Sequence, residues 1–191
     1  VPKGFGQELV DSFNKQLDAA HDAAGSYKKN KTDWLEGAWS GLKPPPIDYE
    51  RGSTACEVER LRELGLIMTA LPETLNVHPR LKRVIGQRRK AIEDGEGIDW
   101  ATGEHLAFAT LLAEGYPVRL SGQDVGRGTF SHRHAAIYDQ KTEEKYFPLL
   151  NLAEKQAHIE VIDSFLSEEG VLGFEYGYSL ADPNCLTIWE A

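Results

Sequence analysis

Apolar residues recur every three to four positions near the start of the chain. Leu9, Val10, Phe13, Leu17 and Ala20 fall on one face of a helix over residues 6–24, with acids and amides opposite. Tyr27–Lys31 breaks the pattern, and Asp33 then caps a short turn holding Trp34, Leu35 and Trp39. Gly41–Ser53, with Pro44, Pro45 and Pro46 in a row, predicts an extended connector. Helical spacing resumes at Thr54–Ala70, where Val58, Leu61, Leu64, Ile67 and Met68 form the apolar face before Pro72. Pro79 suits a first helical position and opens a helix to about Ile92, with Leu81, Val84, Ile85 and Arg88 in register. Asp94-Gly95-Glu96-Gly97 stops it. Asp99 caps the next helix, Trp100–Glu114, with Leu106, Ala107, Thr110 and Leu111 at helical spacing, and Gly115 closes it.

Beyond Gly115 the periodicity shortens. Tyr116–Ser121, His134–Tyr138, His158–Ile162 and Leu186–Trp189 read as strands, with a charged hairpin through Lys145 followed by the run Tyr146–Leu152. Helices alternating with apolar strands and glycine loops indicate an α/β fold. Ligands of such sheets gather beyond the carboxyl ends of the strands, which here means Ser121–Phe130. Between the last two strands, Ser167 is a good N-cap for a helix opening on Glu168 and Glu169. Val171, Leu172, Phe174, Tyr176 and Tyr178 predict that this helix is buried. Gly170, Gly173 and Gly177 weaken it by about 1 kcal/mol each relative to alanine, so a close approach of backbone or ligand is expected there.

At 191 residues the chain accommodates one domain, or one domain and part of another, with a real core. Its net charge of −9 argues against nucleic-acid or anionic-membrane surfaces. The basic run Arg80–Lys90 is expected to spread around a helix as a solvated or subunit-facing surface. Two distant cysteines, Cys56 and Cys185, fit a reducing compartment, and no apolar run is long enough to span a membrane. A start at Val1 and an end on a strand suggest a segment of a larger polypeptide.

Three groups of residues could carry chemistry. The loop Gly122-Gln123-Asp124-Val125-Gly126-Arg127-Gly128 has the backbone freedom to cradle phosphate, but it lacks the Walker and dinucleotide spacings and reads more readily as a tight turn. His132 and His134, two apart on a strand, would share a face as a metal pair, as donors to an anion, or as ordinary polar residues. Glu168 and Glu169 point in different directions at a helix start, so they read either as an acidic first turn favoured by the helix dipole or as one working acid beside a surface or capping charge. Burial would raise the carboxyl pKa of the working acid.

Val118–Tyr138 (VRLSGQDVGRGTFSHRHAAIY) and Asp163–Ala191 closely resemble the thiamine-diphosphate-dependent first component of the 2-oxoglutarate dehydrogenase complex, and Tyr27–Leu42 resembles the linker preceding this region. The resemblance implies a helical and proline-rich linker over 1–52. Over 53–191 it implies the first half of a transketolase-like, parallel-sheet, pyrimidine-binding domain. It also implies that Glu168 hydrogen-bonds the cofactor's pyrimidine in a dry cleft, with Gln123 and Asp124 facing the cofactor. His132 and His134 would bind a carboxylate or move a proton. The expected partners are a second copy of the chain, a lipoyl-bearing succinyltransferase core, dihydrolipoamide dehydrogenase and 2-oxoglutarate, in a bacterial cytoplasm or mitochondrial matrix. The family's magnesium motif is missing: Asp94-Gly95-Glu96-Gly97 lacks the leading glycine, and no asparagine lies between Asn76 and Asn151. Magnesium ligands are therefore expected outside this segment, and the segment alone is expected to be inactive. The alternative is a non-catalytic α/β interaction or dimerisation module.

Overall fold

The structure, a computed structural model, describes residues 4–26, 37–43 and 52–190. The predicted cap at Asp33, the residues Trp34 and Leu35, and the triple proline lie outside them. The chain divides into two compact units, Val1–Ser40 and Gly41–Ala191. In the first, helix α1 (Phe5–Ala24) follows the predicted periodicity, but Leu9, Val10, Phe13 and Leu17 are all exposed. A short 3-10 turn spans Gly37–Trp39.

The second unit contains α2 (Val58–Met68), α3 (Pro79–Asp94) and α4 (Trp100–Glu114), then strand β1 (Val118–Gly122). A small hairpin follows, β2 (Ile137–Tyr138) with β3 (Lys145–Tyr146), and then β4 (Ile159–Asp163), α5 (Glu168–Ala181) and β5 (Leu186–Glu190). The main sheet is parallel in the order β4-β1-β5. This α/β architecture with helices leading into a parallel sheet is the one expected. β1 is central, and the chain passes to one side of it and then to the other, which is the topological switch where open sheets bind ligands.

Local signals set most boundaries. Asp99 accepts the Thr102 N–H at 2.7 Å, Ser167 Oγ accepts the Gly170 N–H at 3.2 Å, and Gly95 and Gly115 adopt left-handed caps. Strands begin or end one to three residues from expectation. The largest departure is His134–Tyr138, of which only Ile137–Tyr138 is strand. On α4 the buried side is Ala101, Thr102, His105, Phe108, Ala109 and Leu112, with the expected Ala107 exposed. That helix is apolar nearly all round, so its inward face had no contrast to read. Leu64, Leu112, Val118 and Leu120 form the centre of the core at 1% exposure or less. Each such side chain contributes about 1.5–3 kcal/mol.

Two contacts fix this unit, one at its β2–β3 hairpin end and one at the carboxyl end of the parallel sheet. Asp139 is a knot: its carboxylate accepts the backbone N–H groups of Asn76 (2.8 Å), Lys141 (2.7 Å) and Thr142 (3.0 Å) and the Asn76 side-chain amide. These donors, Asn76 first, hold its carboxyl well below the usual range. The knot is intact above roughly pH 4 and is lost as pH falls further. At the other end, Gly122 (φ +152°) lies so near β5 that an added Cβ would sit 1.6 Å from the Glu190 carbonyl oxygen. Gly122→Ala must therefore separate β1 from β5. Urea denaturation is expected to show a loss of roughly 3 kcal/mol or more; a loss under about 1 kcal/mol would mean that β5 yields freely.

Candidate active-site face

The carboxyl ends of β1, β4 and β5 are joined by short hydrogen bonds. Ser164 N–H donates to the Gly122 carbonyl at 2.7 Å, Gln123 N–H to the Glu190 carbonyl at 3.1 Å, and Gly126 N–H to Asp163 Oδ1 at 3.1 Å. The glycine loop thus lies across the strand ends, as its position after β1 predicts. Gln123 and Asp124 are exposed on it. Asp124 (φ +54°) is engaged within the loop, its carboxylate accepting Arg127 Nε–H at 2.8 Å.

Glu168 stands at the start of α5, beside the same strand ends. It is exposed in this chain, and so are its neighbours Phe165, at 105%, and Leu166. The dry cleft expected around it is not supplied by the described residues. The expectation that α5 is a buried helix is also corrected: only Val171 and Glu175 are buried, and Leu172, Phe174, Tyr176 and Leu180 are exposed. Gly173 and Gly177 have nothing within 4 Å of an added Cβ, so the close approach they allow is to nothing described in this chain. Helical spacing nonetheless separates the two acids. Glu168 falls three and seven residues before Val171 and Glu175, the buried side that faces the sheet, whereas Glu169 shares the outer side with Leu172, Gly173 and Tyr176.

Residues 132–134 are not a strand, and alternation does not pair the histidines. Ser131 and His134 take positive φ, and the N–H groups of Arg133 and His134 both donate to the Arg127 carbonyl at 3.0 Å. The buried residue is the one between them. Arg133 is 2% exposed, and His132 and His134 are half-buried. Its guanidinium donates to Glu104 (2.7 and 2.9 Å), to Glu190 Oε1 (3.1 Å) and Oε2, and to the Val125 carbonyl (3.1 Å). Burial opposes the charge, but these two carboxylates outweigh it and raise the guanidinium pKa. Arg88, 8% exposed, donates to the carbonyls of Arg133 (3.0 Å) and His132. It departs from the solvated surface expected of the basic run. Burial, which lowers the Arg88 pKa, outweighs nearby Asp99 and Glu104.

A cavity of about 20 Å³ is lined by Arg88, His105 and His134. Burial, then the Arg88 charge, lowers the His134 pKa, and burial pushes His105 down to about 4. His105 Nδ1–H donates to the Ala101 carbonyl, 2.7 Å away. Among the described residues no group of three or more His, Cys, Asp or Glu is arranged to hold a metal, so the metal-pair reading of His132 and His134 lacks further ligands.

Arg88, Arg133, His105 and Glu175 were missed from sequence because charged residues are presumed to be exposed. The signals were Arg88 in register with the apolar residues of α3 and the arginine placed between two histidines.

Residues 96–191 match the transketolase pyrimidine-binding domain family. The chain belongs to this family. It is 51% identical over 191 residues to the 2-oxoglutarate dehydrogenase E1 component of Brucella anthropi, covering 97% of this chain and 19% of that protein. The protein of the same name from Brucella canis is 51% identical over 181 residues, covering 94% of this chain and 18% of that one. The chain thus spans about a fifth of the length of these relatives. Within the pyrimidine-binding domain, the strand-end face carrying Glu168 and the glycine loop is the candidate active site.

His105 generates a pH test. It is buried neutral with a lowered pKa, so the unfolded chain binds the extra proton between roughly pH 6.5 and 4. The His105 contribution to unfolding free energy is expected to fall as pH drops across that window, by on the order of 3 kcal/mol, and to change no further below it. His105→Asn should flatten this slope in pH-dependent denaturation.

Proposed function

We propose that this chain supplies the pyrimidine-facing part of a thiamine-diphosphate site in an enzyme that oxidatively decarboxylates 2-oxoglutarate and passes the succinyl group to a lipoyl-bearing acyltransferase. The observation that carries this reading is the placement of Glu168. It is the acid on the sheet-facing side of α5, at the strand ends of a pyrimidine-binding domain. The names of the relatives supply the substrate class.

The residues fit the cofactor's pyrimidine end. A carboxyl at a helix start can exchange a proton with a ring nitrogen, and exposed Phe165, three residues before Glu168, offers apolar surface. When bound, thiamine diphosphate supplies the carbanion and electron sink for loss of carbon dioxide. The chain's own part is narrower. Glu168 holds a proton at its carboxyl oxygen, and the loop bearing Gln123 and Asp124 walls the site. His132 and His134 donate to a carboxylate or move a proton. Burial, then the Arg88 charge, disfavours the protonated form of His134. Water is excluded from Glu168 by surfaces outside this chain closing over Phe165 and Leu166. Magnesium and the diphosphate fall to such surfaces too.

A homodimer is the natural partner arrangement. The side of α5 bearing Gly173, Tyr176, Gly177 and Leu180 is open, and glycines there admit a second backbone. The acyltransferase core and dihydrolipoamide dehydrogenase complete the proposed assembly, in a bacterial cytoplasm or a mitochondrial matrix. Among the described residues no helix is long and apolar enough to cross a membrane.

Glu168→Gln in the full-length polypeptide is expected to reduce decarboxylation by about a hundred-fold or more without lowering Tm, and retained turnover would defeat the reading. Calorimetry of this chain alone with thiamine diphosphate and magnesium is expected to give no micromolar binding.

A further inference from the structure

The segment His132–His134 has no strand or helix to hold it, and it carries strained backbone at Ser131 and His134. Such backbone persists only where its surroundings over-determine it. Two arginines do this. Arg133 uses all five of its N–H donors: two to Glu104 on α4, two to Glu190 at the end of β5, and one to the Val125 carbonyl. Arg88, reaching from α3, uses its two terminal nitrogens on the carbonyls of His132 and Arg133. The side chain of one residue and the backbone of two are thereby tied to three elements of the scaffold. The His132 ring also lies against Gly128, where an added Cβ would sit 2.5 Å from its Cε1 atom.

We propose that Arg133 and Arg88 are positioning residues, which fix where the His132 and His134 imidazoles stand on the active-site face. Neither arginine meets the reacting groups itself. A lysine cannot replace Arg133, because a single ammonium cannot grip two carboxylates with a planar fork. Glu104 and Glu190 share the role, and this gives Glu190 at the sheet's end a direct connection to the histidines. The placement of the segment stands on the hydrogen bonds alone. Only its catalytic consequence rests on the function proposed above.

The test uses the full-length polypeptide with Arg133→Met, Arg133→Lys, Arg88→Met and the milder Glu190→Gln. Diethylpyrocarbonate modification of each histidine is followed by mass spectrometry, beside Tm and steady-state kinetics. Arg133→Met and Arg88→Met are expected to speed modification of His132 and His134 about five-fold, with exposed His78 unchanged. Glu190→Gln should give about two-fold and Arg133→Lys only partial rescue. The kinetic signature is a fall of about a hundred-fold in kcat with KM nearly unchanged, since misplacement by about 1 Å has that effect. Asp139→Asn serves as the comparison, because it loosens the remote hairpin knot without touching the histidines. It should lower Tm while leaving His132 and His134 at the parent rate.

If Arg133→Met does not fold, Glu190→Gln and Arg88→Met decide. Unchanged histidine reactivity in the folded variants overturns the proposal, as does an equal acceleration in Asp139→Asn. Retained turnover in Glu168→Gln would instead overturn the functional reading, leaving the labelling result to stand or fall separately.

Discussion

Glu168 has a defined position because Arg119 holds α5 to the sheet. The Arg119 guanidinium, on β1, donates to Glu175 at 2.7 and 2.9 Å and to Glu160 on β4 at 2.5 Å, with the Tyr178 ring 4.6 Å away. The hydrogen bonds to Glu175, ahead of burial and Glu160, set its pKa above the ordinary value. α5 buries only one apolar side chain on this sheet, so an ion pair supplies what apolar burial usually does. Removing one partner of such a buried pair costs about 3–5 kcal/mol, largely because the other charge is left without compensation. Glu168 lies two turns above Glu175, and the bridge therefore sets both the height and the rotation of the acid over the strand ends.

A common design connects the two halves of the face. α5 is anchored by Arg119 and the histidine segment by Arg133, each a nearly buried arginine shared between two carboxylates. The planar guanidinium suits this task because it stays charged and divides its donors between partners. The strand ends are thus tied by directional contacts, where apolar packing would tolerate sliding. Tight approach at Gly122 completes the arrangement by bringing the Glu190 end of β5 within reach of the loop.

Sequence made the architecture legible to the extent that periodicity and caps were strong. Asp99, Gly95, Gly115 and Ser167 mark helix ends through local hydrogen bonds that need no tertiary context, and all four hold. The inward side of α4 was not legible, since a helix apolar all round carries no directional signal. His132 and His134 were placed on a strand because β-like composition surrounds them; long-range bonds from Arg88 and local ones to the Arg127 carbonyl override it. The site was found as a region, by loop position and family resemblance. Its supporting arginines were hidden because their partners lie up to 57 residues away in sequence. Glu168 was read as the acid on the sheet-facing side of α5, but the burial of α5 was overestimated: its exposed aromatics read as core when no partner surface is considered.

A further consequence follows from strand order. With β1 in the middle, β4 and β5 are both edges of the three-stranded sheet, and each offers a row of backbone N–H and C=O groups to any strand that arrives. Handled as a free-standing domain, the chain has two templates for unwanted self-association, along Ile159–Asp163 and Leu186–Glu190. Lysine or proline on the outer edge of one of them would deter stacking of copies while leaving the central strand undisturbed.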